Sequence, residues 1–77
     1  MNIVMYTKSN CPNCVSAKMV LQMHSLPFEE RDIEKHREEF SARFPEVRGM
    51  PQIFINDQRV GGLLGLQEAL KQIKEQS

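Results

Sequence analysis

The chain predicts an α/β fold, a four-stranded mixed sheet flanked by three helices in the order β-α-β-α-β-β-α. Three observations carry this reading. Ile3, Val4, Met5 and Tyr6 form a nearly continuous apolar run, and QIFIN (Gln52 to Asn56) forms another. Such runs suit strands buried on both faces. Between QIFIN and Gln58–Gly61 stands Asn56-Asp57, which is hairpin-turn chemistry. Leu66, Ala69, Leu70 and Ile73 then repeat at i, i+3, i+4 and i+7, the signature of a closing amphipathic helix.

The elements follow in order. Asn2 to Thr7 is the first strand. A helix begins around Pro12, since proline at the first helical position lacks only an N–H that had no intrahelical partner. From Val15 to Met23 apolar residues cover most of this helix, with Lys18, Gln22 and Ser25 as a narrow polar stripe. That pattern predicts a largely enclosed helix. Pro27 to Ile33 (PFEERDI) reads as a short polar strand, suited to a sheet edge where charge discourages further pairing. Glu34 to Phe44 reads as a helix with a thin apolar stripe of Phe40 and Phe44, ended by Pro45. The first β-α-β unit implies a parallel pair with a right-handed crossover, and the hairpin adds antiparallel strands. Phe40, Phe44 and Phe54 are assigned to the core, and four of the five methionines to core filling.

The 77 residues suit one domain, 1–77, with no linker or repeat. Formal net charge is zero and no basic block occurs, so the electrostatic footprint of a nucleic-acid binder is missing. The longest charged stretch, Glu29 to Glu39, mixes signs and reads as a solvated face. No apolar run approaches the ~18–20 residues of a membrane span, and the N-terminus does not have the form of a signal peptide. The expectation is a cytoplasmic monomer.

The informative stretch is KSNCPNCV (Lys8 to Val15), which holds both cysteines, Cys11 and Cys14. A disulfide across two intervening residues closes a tiny loop and restrains the unfolded chain little, so stapling explains the pair poorly. In a reducing compartment Cys-x-x-Cys points to redox or metal chemistry. Zinc needs two further ligands, and His24 and His36, the only histidines, do not have the usual short spacing. They read as surface or packing residues. Cys11 falls at the helix N-cap, where free N–H groups and the positive end of the helix dipole favour a thiolate. Lys8 adds positive charge nearby. Cys11 is therefore expected to attack a disulfide from an exposed tip, and Cys14, tucked behind it, to resolve the mixed disulfide.

These residues resemble the glutaredoxins, within the thioredoxin-fold superfamily, over essentially the whole chain. YTKSNCPNC matches the family's strand-loop-helix active site, GMPQIFIND its cis-proline segment, and RVGG its glycine pair after the last strand. The resemblance implies a thiol–disulfide oxidoreductase with Cys11 as nucleophile, Cys14 as resolving thiol and no tightly bound cofactor. It implies a cis bond before Pro51, with the Met50 backbone offered to substrate as a pairing edge. Protein disulfides are the implied substrates, with ribonucleotide reductase as a client by family analogy. Glutathione is the implied co-substrate, its glycyl carboxylate held by Lys8 and Arg48. Tyr6, Asn13, Gly61, Gly62 and Leu63 complete the implied substrate or glutathione site. Leu63 and Leu64 read as packing at the entry to the last helix, with docking of a protein partner by an exposed pair as the alternative.

The chain also departs from the family. Asn13 stands where an aromatic residue is usual, and Gly49-Met50 where Thr-Val usually precedes the cis proline. Leu63-Leu64-Gly65 replaces the turn whose aspartate or serine holds the γ-glutamyl end of glutathione. Only free N–H groups at a helix start are left there to meet a carboxylate. Two alternatives follow. One is a glutaredoxin-like electron donor reduced by thioredoxin reductase. The other is a carrier of an iron–sulfur cluster bridged between two chains.

Overall fold

The computed structural model describes residues 1–76, with side-chain environments through Ile73. In chain order the elements are β1 (Ile3–Thr7), α1 (Pro12–Met23), β2 (Glu29–Asp32), α2 (Ile33–Arg43), β3 (Gln52–Ile55), β4 (Gln58–Gly61) and α3 (Leu63–Gln76). The four strands form one mixed sheet in the order β2-β1-β3-β4. β1 pairs parallel with β2 and antiparallel with β3, which pairs antiparallel with β4. The α/β class and the element order are those the sequence predicts.

Period-two alternation sorts the strand residues onto two faces. Ile3, Met5, Ile53 and Ile55 meet Ala17 and Leu21 of α1 and Leu66 and Leu70 of α3. Val4 and Phe54 meet Ile33 and Phe40 of α2, with Tyr6, Phe44, Val47 and Met50 around them. On that second face the aromatic rings interlock, with centroids 4.9 Å apart for Tyr6–Phe40, 5.2 Å for Phe40–Phe44 and 5.3 Å for Phe44–Phe54. Met5, Leu21, Ile53 and Leu66 are fully buried. Each contributes roughly 1.5–3 kcal/mol by leaving water.

Local chemistry sets the boundaries. α1 opens with Cys11 in an extended cap conformation and Pro12 at the first helical position. It closes where Ser25 turns to φ +55°, with the N–H groups of Ser25 and Leu26 donating to the carbonyls of Gln22 and Leu21. α2 is capped by Asp32, whose carboxylate accepts from the Glu34 N–H at 2.9 Å. That cap shortens the predicted PFEERDI strand to Glu29–Asp32 and places Ile33 on α2, buried under the sheet. Asn56 and Asp57 both take positive φ, 51° and 68°, the conformation a two-residue hairpin turn requires.

Helix α1 departs from expectation. It is not enclosed: only Cys14, Ala17 and Leu21 are buried, while Val15, Met19 and Met23 are 57, 55 and 80% exposed. The helix lies directly on the sheet, and among the described residues no second layer covers its back. Its polar residue Lys18 instead anchors it sideways. The Lys18 Nζ sits 2.7 Å from Glu30 Oε2, which also accepts from Thr7 Oγ1 at 2.9 Å. Lys18 and Thr7 together hold the Glu30 carboxyl below its ordinary range, with partial burial acting against them.

Helix α3 crosses β4 very closely. A Cβ built on Gly65 would fall 1.9 Å from the carbonyl oxygen of Val60 and 2.8 Å from its carbon. Glycine at 65 is what allows the first turn of α3 to rest on the strand.

Candidate active site at the start of helix α1

The end of β1, the loop Lys8–Asn10 and the first turn of α1 carry the cysteines. Asn10 takes φ +54° and swings the chain from strand into helix. Cys11 and Cys14 are disulfide-bonded, with Cα atoms 5.2 Å apart. The N–H of Cys14 donates to Cys11 Sγ at 3.1 Å. The N–H groups of Cys14 and Val15 also reach the Cys11 carbonyl, at 3.1 and 3.2 Å. A sulfur thus occupies the place where a serine or aspartate oxygen usually caps a helix. The cap stabilises negative charge at that sulfur, since N–H donors and the helix dipole both point at it.

The two sulfurs are less different in exposure than an exposed tip would make them. Cys11 is 8% exposed and Cys14 3%. What covers Cys11 is the loop before β3. The Met50–Pro51 peptide bond is cis, and the Met50 carbonyl oxygen lies 3.6 Å from Cys11 Sγ, close enough for a reduced thiol to donate to it. The same loop is held from behind. Gln52 Nε2 donates to the Gly49 carbonyl at 3.2 Å, and Arg59 Nη1 donates to Gln52 Oε1 at 3.2 Å.

Of the other sequence candidates, Met50, Pro51, Gly61 and Gly62 are brought to this neighbourhood. A Cβ on Gly62 would stand 3.3 Å from the Pro51 carbonyl, so the glycine pair packs against the cis-proline loop. Asn13 is exposed beside the cysteines on the first turn of α1. Leu63 packs partly into the core, while Leu64 is 77% exposed.

Three candidates make no contact with the two sulfurs. Tyr6 belongs to the aromatic cluster on the α2 face, and its hydroxyl accepts from Arg31 Nη1 at 3.0 Å. Alternation along β1 turns it to the face opposite Met5. Lys8 is exposed and lines a groove on the β2 side with Glu29, Glu30, Asp32 and Glu39. Arg48 is exposed in a groove on the opposite side with Arg43 and Arg59. The sequence reading missed Gln52 and Arg59. Their signal was a polar residue opening an otherwise apolar strand, and a cation on the returning arm of the hairpin, in register with Phe54.

Among the described residues no group of three or more His, Cys, Asp or Glu is placed to hold a metal ion. No helix among them is long and apolar enough to cross a membrane.

A dithiol capping a helix against a cis-proline loop is a recurrent arrangement, and residues 3–60 match the glutaredoxin family model. The chain belongs to the glutaredoxin family. It is 41% identical over 63 residues to a probable glutaredoxin of Synechocystis sp., an alignment covering 78% of this chain and 72% of the relative. With glutaredoxin 1 of Rickettsia conorii it shares 34% over 64 residues, covering 78% of this chain and 63% of that one. The structure of glutaredoxin 1 from Francisella tularensis superposes with a TM-score of 0.79 at 28% identity, covering 96% of each chain. Glutaredoxins are thiol–disulfide oxidoreductases, and the Cys11–Cys14 pair is the dithiol such chemistry needs. The resemblance read from CPNC, GMPQIF and RVGG is thereby established as family membership.

Proposed function

We propose that this chain reduces disulfides in other proteins through Cys11 and Cys14. The observation that carries the reading is the N-capping sulfur of Cys11, 3.1 Å from the Cys14 N–H and 3.6 Å from the Met50 carbonyl. The Cys11 thiolate attacks one sulfur of the substrate disulfide, forming a Cys11–substrate disulfide and releasing the other sulfur as a thiolate. Deprotonated Cys14 then attacks Cys11 Sγ. The second substrate thiolate leaves and the Cys11–Cys14 disulfide remains. Two electrons have passed to the substrate, and the two protons its thiols take up come from the cysteines by way of solvent. The Met50 backbone, beside Cys11, receives the substrate chain as an extended edge.

The cycle closes when a reductant returns two electrons. We assign that role to glutathione as co-substrate, two molecules giving one glutathione disulfide, with Lys8 and Arg48 as the charges available to its carboxylates. A second reading is favoured by one observation. Gly65 lies so close to the Val60 carbonyl that no side chain fits there, and Leu63 and Leu64 are apolar. No side chain of that turn can hold the γ-glutamyl end, which leaves thioredoxin reductase as the alternative electron source. Ribonucleotide reductase is the client the family resemblance implies, and the cytoplasm the compartment.

The test is to oxidise the protein and follow NADPH consumption with glutathione plus glutathione reductase, and separately with thioredoxin reductase. Turnover with glutathione is the expected result. Turnover with thioredoxin reductase alone would transfer the chain to the second reading, and no loss of activity in Cys11→Ser would overturn both.

A further inference from the structure

The groove on the β2 side mixes signs, with Glu29, Glu30, Asp32 and Glu39 set among Lys8, Arg31, Lys35 and His36. At the opposite edge of the sheet, an open groove of about 500 Å³ runs from the end of α2 to β4 and carries Arg43, Arg48 and Arg59. Its single acid is Glu46. All three arginines are exposed, and among the described residues none forms an ion pair. The arginines of the mixed-sign stretch differ, since Arg31 and Arg37 pair with Glu29 and Glu34.

This groove reaches the loop that packs on the cysteines through Arg48 and Gln52. Arg48 is two residues before Met50, whose carbonyl touches Cys11. Arg59 is joined to the same loop through Gln52, a buried side chain whose amide spans from the Arg59 guanidinium to the Gly49 carbonyl. A peptide laid along the Met50 backbone, with its cysteine at Cys11, would carry its flanking residues past Arg48 and Arg59, with Arg43 at the far end of the groove.

Building on the disulfide-reductase reading above, we propose that the groove of Arg43, Arg48 and Arg59 selects protein substrates whose disulfide is flanked by acidic residues. Guanidinium groups suit carboxylates because their planar donors pair with both oxygens. A surface that presents three cations without ion pairs on the flank of the substrate loop speeds encounter with an acidic segment and slows a basic one.

The experiment uses the reduced protein and three synthetic peptides, each with one cysteine as a mixed disulfide with 2-thiopyridine. Their flanks are Asp/Glu, Gln/Ser or Lys. Release of the thiopyridone gives the second-order rate. At low salt the acidic peptide should react about tenfold faster than the neutral one, and the gap should close to within about twofold near 0.5 M salt as screening sets in. In Arg43→Gln/Arg59→Gln the acidic-to-neutral ratio should fall to about two, and Arg43→Lys/Arg59→Lys should restore most of it, since the charge returns. Equal rates for the three peptides at low salt would overturn the proposal while leaving the reductase reading intact. So would a double variant that slows a glutathionylated neutral peptide as much as the acidic one, because the groove would then serve glutathione. Failure to react with any peptide would overturn the reductase reading itself.

Discussion

Replacing Gly65 by alanine pits two effects of opposite sign against each other. Gly65 is the third residue of α3, and in a helix alanine is favoured over glycine by about 1 kcal/mol. Propensity therefore predicts a more stable protein. The packing predicts the reverse. The new Cβ would meet the Val60 carbonyl oxygen at 1.9 Å, against the 3.4 Å at which ordinary contact begins, so helix and strand must part by about 1.5 Å. Neither neighbour is a side chain that can swing away. The displacement would pull Leu66 and Leu70 from their places beneath the sheet. Overpacking of this kind costs about 3 kcal/mol, which leaves a net loss of about 2 kcal/mol after the helix preference, against a total stability on the order of 4–12 kcal/mol for a chain this size. At roughly 4–8 °C per kcal/mol, the melting temperature should fall by about 8–16 °C. Gly49→Ala is the control. Its φ is +80° but nothing lies within 4 Å of a new Cβ, so it should lose only about 1–2 kcal/mol of backbone preference. Thermal and urea unfolding of both variants settles the matter. A Gly65→Ala protein that melts at or above the parent would refute the close crossing of α3 over β4, and with it the reason no polar side chain can stand at 65.

Other perturbations have clear signs. Cys14→Ser should accumulate mixed disulfides between Cys11 and its substrates, read by mass under non-reducing conditions; a clean monomer after exposure to substrate would remove Cys14 from the resolving role. Asp57→Gly should stabilise the hairpin by about 0.5–1 kcal/mol, because glycine takes the positive φ of that turn position without strain; denaturant midpoints measure it, and a loss would contradict the turn. Glu30 has a folded-state carboxyl held below its ordinary 4.5, so its contribution is present at neutral pH and lost as pH falls through that lowered value. Glu30→Gln should cost about 0.5 kcal/mol at pH 7, as for a largely exposed pair, and should match the parent well below pH 4.5 in urea titrations. A constant gap across that range would mean the ion pair with Lys18 is not its source.

The strands, the helix starts and the cysteine cap were legible because each depends on neighbours in sequence. An apolar run, a proline at the first helical position and an Asn-Asp pair act locally. The burial of α1 was not legible. Val15, Val20 and Leu21 look alike in sequence, and only the position of the sheet decides that Leu21 is covered and Val15 is not. Tyr6 fails for a related reason: a strand apolar on both faces gives no hint of which face meets α2. The charges show the limit most clearly. Lys8 and Arg48 both read as carboxylate partners, yet the strand order places them in separate grooves on opposite sides of the sheet. Gln52 and Arg59, seven residues apart, brace the cis-proline loop only because the hairpin folds one over the other.

The uncovered back of α1 has a bearing on wear. A protein whose partners are oxidised works amid species that convert thioethers to sulfoxides. Met19 and Met23 project outward, so an added oxygen there points into water and leaves the packing untouched. Met5 is sealed within the sheet, where oxidants do not reach it. Met50 alone is half-buried on the loop whose backbone touches the reactive sulfur, its side chain packed against the cluster of Val4, Ile33, Phe40 and Phe54. Ageing of this molecule by oxidation should therefore be felt at the substrate loop well before it is felt in the fold.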